Sequence, residues 1–121
     1  VGSEMCIRDS YEQARDSVDF IKRYIFPGGC LPSLTVISDS LSRVTDMQMS
    51  HLRDITRDYA DTLSAWHDGF LGKLDTVRQM GFDDRFIRMW RYYLSYCEGG
   101  FRERIIGTYQ ITMTKPGYRP A

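Results

Sequence analysis

No apolar run in the 121 residues approaches the ~20 that a bilayer-spanning helix needs. Charge of either sign is not in excess: 16 basic side chains face 16 acidic ones, for a formal net charge of zero. Nucleic-acid binding usually needs a basic face, and nothing here argues for one. The three cysteines are an odd number without metal-type spacing, which points to free thiols and a reducing compartment. There is no paired Cys/His metal motif, and His51 and His67 are single histidines without a spaced partner. His67 lies beside an apolar stripe and reads as solvated or partly packed. A glycine-rich turn from strand to helix, the usual cradle for a nucleotide-like cofactor, is also missing.

What remains is ordinary for one small globular domain or part of one: 42% hydrophobic and 26% charged residues. The first ten residues stand apart. Glu4-Met-Cys-Ile-Arg-Asp-Ser10 matches one reading frame of a sequencing-library adapter. Residues 1–9 are therefore expected to be a non-native leader outside the fold.

Helical spacing of Val18, Ile21 and Ile25 predicts a helix over 11–25. Pro27-Gly28-Gly29 predicts a tight turn, and Pro32 suits the first position of a helix over 32–43. A strand is expected over Met47–Ile55, although its apolar alternation is imperfect. The stripe Leu63, Trp66, Phe70, Leu74 and Val77 predicts one long helix over 59–79, ended by Gly81. Asp83 or Asp84 can cap the next helix, about 84–102, whose stripe is Phe86, Trp90, Tyr93, Cys97 and Phe101. A second strand follows over Ile105–Thr114, with Ile106, Thr108, Gln110, Thr112 and Thr114 on one side. Lys115–Pro120 is a polar, turn-rich tail. By itself this is a small α+β pattern without diagnostic topology.

Three runs go further: Phe20-Ile-Lys-Arg-Tyr-Ile-Phe-Pro-Gly-Gly-Cys-Leu-Pro-Ser33, Asp58-Tyr-Ala-Asp-Thr-Leu-Ser-Ala-Trp66 and Tyr92-Tyr-Leu-Ser-Tyr-Cys-Glu-Gly-Gly-Phe-Arg102. In this order they resemble the cyclopropane-fatty-acyl-phospholipid synthase family of S-adenosylmethionine-dependent methyltransferases. The resemblance covers roughly residues 10 to 117. It implies an α/β chain forming the C-terminal portion of a Rossmann-like methyltransferase fold, an antiparallel edge strand pair with covering helices. Residues 10–117 would then belong to the catalytic domain and 118–121 to a tail, with the S-adenosylmethionine site mostly upstream.

The resemblance also assigns roles. Tyr59 would be catalytic, its hydroxyl helping to hold a bicarbonate ion; on pattern alone it reads as an ordinary packed tyrosine. Cys97 would lie near the acyl-chain site; its bland reading is a small buried residue. The implied reaction moves a methyl group to a cis double bond of a phospholipid acyl chain and closes a cyclopropane ring. A carbocation-like species arises, which aromatic faces stabilise, and a base removes a proton. Phe82, Phe86, Met89 and Trp90 are the residues to inspect for an acyl tunnel, although such stripes are more often plain core. Gly99-Gly100 within a helix suggests close packing or room for a lipid chain. Leu52-Arg53-Asp54 departs from the segment of some members. The implied partners are unsaturated phospholipid acyl chains at the membrane surface, reached peripherally from the cytoplasmic side of the inner membrane; homodimer formation is allowed for. Two other readings compete: a related lipid methyltransferase with a product other than cyclopropane, and a non-enzymatic helical hairpin that binds a partner.

Overall fold

The computed structural model describes residues 2–8, 16 and 18–119. It divides into two compact units, residues 1–55 with 105–121, and residues 56–104.

The first unit holds a three-stranded sheet in the order β1 (Gly2–Arg8), β3 (Ile106–Thr114), β2 (Gln48–Asp54). Both outer strands run antiparallel to β3. The β2–β3 ladder is the expected antiparallel pair. Its register shifts between Met49 and His51, and Ser50 at that point donates its hydroxyl to the carbonyl of Thr112 at 3.1 Å. This irregularity explains the imperfect alternation of the segment, because a bulge moves the following side chains to the other face. All seven residues of β2 are exposed, whereas Gly107, Thr108 and Ile111 of the central β3 are buried. Buried residues thus lie on both sides of β3, Thr108 on one and Gly107 and Ile111 on the other.

β1 is a third strand where two are expected. Its backbone pairs from Gly2↔Thr112 to Arg8↔Ile106, so the sheet includes the residues that the sequence sets apart as a leader. Strand addition of this kind is driven by main-chain hydrogen bonds and tolerates many sequences.

Of the helix expected over 11–25, Asp16 and Phe20 are helical, Val18 and Asp19 are not, and Ile21–Ile25 form a π-helical turn; residues 11–15 and 17 lie outside the described residues. The side chain of Asp19 accepts the Lys22 N–H at 2.9 Å in front of that turn. The Phe26–Gly29 turn forms as expected. Gly29 donates its N–H to the Phe26 carbonyl at 2.9 Å, Pro27 presets the second position, and Gly28 has φ +79°, as a type II turn requires. α1 (Leu34–Val44) starts later than Pro32 suggests. Ser33 is its cap, buried and accepting the Val36 N–H at 3.2 Å; Pro32 precedes the cap instead of opening the helix.

The second unit is built from α2 (Thr56–Leu71), α3 (Leu74–Gln79) and α4 (Asp84–Arg102). The expected long helix is thus two helices, broken where Gly72 and Lys73 donate to the Asp68 and Phe70 carbonyls in a turn. It also begins earlier, at Thr56. The stop at Gly81 is confirmed by its φ of +92°, a left-handed C-cap. Asp83 caps α4, accepting the Phe86 N–H at 2.8 Å.

α2 and α4 pack against each other. Ala60 and Leu63 of α2 and Ile87, Leu94 and Phe101 of α4 are buried. The buried line of α4 therefore runs at steps of seven through Ile87 and Leu94, a course the aromatic stripe does not indicate. Phe86, Trp90, Tyr93 and Cys97 are only half-buried, and Trp66 of the α2 stripe is 53% exposed. Burying a leucine such as Leu63 contributes about 1.5–3 kcal/mol.

Candidate functional site

The second and third sequence runs meet between α2 and α4. Tyr59 lies in the first turn of α2, half-buried. Its ring stands edge-on to Phe101, with centroids 5.0 Å apart at 75°. On its own helix it meets Trp66 edge-on at 6.1 Å. Phe101 lies one helical turn beyond Cys97, on the same side of α4. Cys97 is half-buried and carries a free thiol.

An ion pair closes the same end of the helix pair. Arg102, next to Phe101, reaches Asp61 of α2 at 3.2 Å and Glu98 at 2.8 Å. The hydrogen bond to Glu98 raises the guanidinium pKa further above its ordinary value, and Asp61 adds to this. Arg102 thus stays charged at every working pH. Sequence reading does not single out Asp61, Glu98 or Arg102. The signal is present, since Glu98 and Arg102 stand at the i,i+4 spacing of a helical ion pair.

The aromatic residues expected as acyl contacts form a ladder of rings along α4. Phe82 stacks on Phe86 at 4.3 Å, Phe86 on Trp90 at 5.6 Å, and Trp90 meets Tyr93 at 5.1 Å. Phe82 remains 41% exposed. Gly99 does not mark close packing: a Cβ there would meet nothing within 4 Å. His67 is half-buried, and its Nε2 is buried without a hydrogen-bond partner among the described residues.

The chain matches the model of the mycolic acid cyclopropane synthetase family over residues 2–111. It belongs to this family. It is 38% identical over 103 residues to a tuberculostearic acid methyltransferase of Mycobacterium tuberculosis, covering 85% of this chain and 24% of that protein. It is also 38% identical over 96 residues to the cyclopropane-fatty-acyl-phospholipid synthase of Escherichia coli strain K12, covering 79% of this chain and 24% of the relative. The chain thus spans about a quarter of the length of these relatives. Among solved structures it is similar to a mycolic acid cyclopropane synthase in complex with SAH and CTAB, with a TM-score of 0.82 at 20% identity over 94% of this chain and 43% of that one. The fold is accordingly part of the α/β methyltransferase fold of the cyclopropane synthases.

The fit of the family's cofactor can be tested on this chain. β2 passes into α2 through Ile55 alone, with no glycine-rich turn between strand and helix, and Pro27-Gly28-Gly29 follows a helical turn instead of preceding a helix. Among the described residues, no glycine-rich turn joins a strand to a helix. Among them there is also no cluster of metal-ligating side chains and no helix long and apolar enough to cross a membrane.

Proposed function

We propose that this chain is part of a lipid methyltransferase. The enzyme would transfer the methyl group of S-adenosylmethionine to a cis double bond of a phospholipid acyl chain and close a cyclopropane ring. The observation that carries this reading is the meeting of Tyr59 and Asp61 with Phe101 and Arg102. It joins two sequence runs that resemble the family at one seam.

The residues present act on position and environment. Tyr59 donates its hydroxyl hydrogen toward a bound bicarbonate, while Phe101 and Trp66 fix the ring from which that hydroxyl projects. Bicarbonate, when bound, supplies a base. Phe101 is buried and Tyr59 half-buried, so the seam limits water, which would trap a cationic intermediate. Cys97 borders the acyl chain, and the Phe82–Trp90 ladder, on the same side of the helix pair, offers it apolar contact. In this reading the S-adenosylmethionine site lies mostly upstream of this chain.

In this reading the complete enzyme works peripherally at the cytoplasmic face of the inner membrane, with homodimer formation as a further proposal. If residues 1–9 derive from an adapter, β1 is a sequence-tolerant addition to the β3 edge; reading the gene from intact genomic DNA decides that point. The alternative product is a methyl-branched acyl chain, and the methyltransferase relatives with other lipid products favour keeping it open.

The test expresses the complete gene, read from genomic DNA, in a host with unsaturated phospholipids and no such enzyme. Cyclopropane acyl chains in the extracted lipids support the reading. Unaltered lipids, with the protein folded and S-adenosylmethionine present, overturn it.

A further inference from the structure

The α2–α4 pair carries a concavity, with a volume of about 250 Å³, lined by His67 of α2 and by Arg88, Arg91, Tyr92 and Ser95 of α4. The four α4 residues recur at spacings of three and four, so they share one face. At ~100° per residue that face lies roughly half a turn around α4 from Cys97, which separates this concavity from the candidate site already described.

Every lining side chain can donate a hydrogen bond or carry positive charge, and none is an acid. The carboxylates one turn before Arg88 and one turn after Ser95 are engaged elsewhere: Asp84 binds Arg78 at 3.3 Å and Glu98 binds Arg102 at 2.8 Å. Among the described residues, neither Arg88 nor Arg91 takes part in an ion pair. Two guanidiniums at i,i+3 repel each other unless an anion lies between them. The buried Nε2 of His67 adds an unsatisfied polar atom at the same place, and such atoms are uncommon and costly.

We propose that this concavity binds a phosphate-type oxyanion. Arginine forks match the paired oxygens of phosphate, and Ser95 and Tyr92 supply hydroxyl donors at the rim. The phosphodiester of a lipid headgroup and free inorganic phosphate share this chemistry. The anion site stands apart from the methyltransferase reading and does not depend on it.

The test titrates the isotope-labelled complete protein, expressed from the gene read from intact genomic DNA, with inorganic phosphate, following the His67 ring and Ser95 amide signals by NMR against sodium chloride of equal ionic strength. It also measures sedimentation with vesicles of phosphatidylcholine, with and without phosphatidylglycerol. The expected result is saturable shifts at His67 and Ser95, weakened about tenfold in Arg88→Gln and in Arg91→Gln and partly restored in the lysine variants. Loss of phosphatidylglycerol-dependent sedimentation in the glutamine variants assigns the phosphate to a lipid headgroup. Phosphate shifts without vesicle binding assign it to free phosphate. Both arginines are exposed, and circular dichroism checks that each variant folds. Shifts no larger than with chloride, or glutamine variants that titrate like the parent, overturn the proposal.

Discussion

The ring of Tyr59 meets that of Phe101 edge-on at 5.0 Å and 75°, across two helices from separate sequence runs. Edge-to-face pairs contribute about 0.5–1.5 kcal/mol beyond burial. A double-mutant cycle with Tyr59→Leu and Phe101→Leu, read by urea denaturation, should give a coupling energy of about 0.5–1.5 kcal/mol. Additive effects would mean that the contact carries no specific energy.

Tyr59→Phe keeps that ring and removes only the hydroxyl. A hydrogen bond to a charged group contributes about 1.5–3 kcal/mol, so kcat of the complete enzyme should fall roughly 10- to 150-fold. Thermal unfolding should show the variant still folded, which separates a lost hydroxyl from a lost structure.

Leu63 is 1% exposed in the α2–α4 core. Leu63→Ala should cost about 2–5 kcal/mol, seen as a lower urea midpoint with an unchanged slope. Trp66, in the same sequence stripe but half-exposed, should tolerate substitution by leucine much better.

Two glycines should respond with opposite signs. Gly28 sits at φ +79°, where an alanine is strained by about 1–2 kcal/mol, so Gly28→Ala should destabilise the protein. Gly69 lies within α2, where an added Cβ would meet nothing within 4 Å, so Gly69→Ala should stabilise it by about 0.5–1 kcal/mol. Differential scanning calorimetry of the two variants reads both signs.

Local chemistry made several elements legible. Asp83 announced α4 because a short carboxylate before a helix can accept the orphan N–H groups there. Gly28 and Gly81 announced left-handed positions that only glycine fills easily. The break at Gly72 was hidden because the spacing from Leu63 to Val77 continues in phase across the turn. The buried line Ile87–Leu94 was hidden because the larger aromatic residues drew the stripe. In the fold those rings stack along the helix and leave the aliphatic residues to pack inward. The roles of Tyr59 and Cys97 rest on family resemblance alone. The meeting of Tyr59 with Phe101 needed the fold, because periodicity does not say which two helices touch. The cluster of His67 with Arg88 and Arg91 escaped for the same reason.

The most direct test of the methyltransferase reading follows the fate of a labelled methyl group. Cells expressing the complete gene are fed methionine deuterated in its methyl group, and the acyl chains are analysed by mass spectrometry. The account predicts acyl chains carrying a CD₂ bridge, since ring closure removes one of the three deuteriums, and a sharp loss of that signal in the Tyr59→Phe enzyme. Acyl chains without deuterium, from a folded and expressed protein, would contradict it.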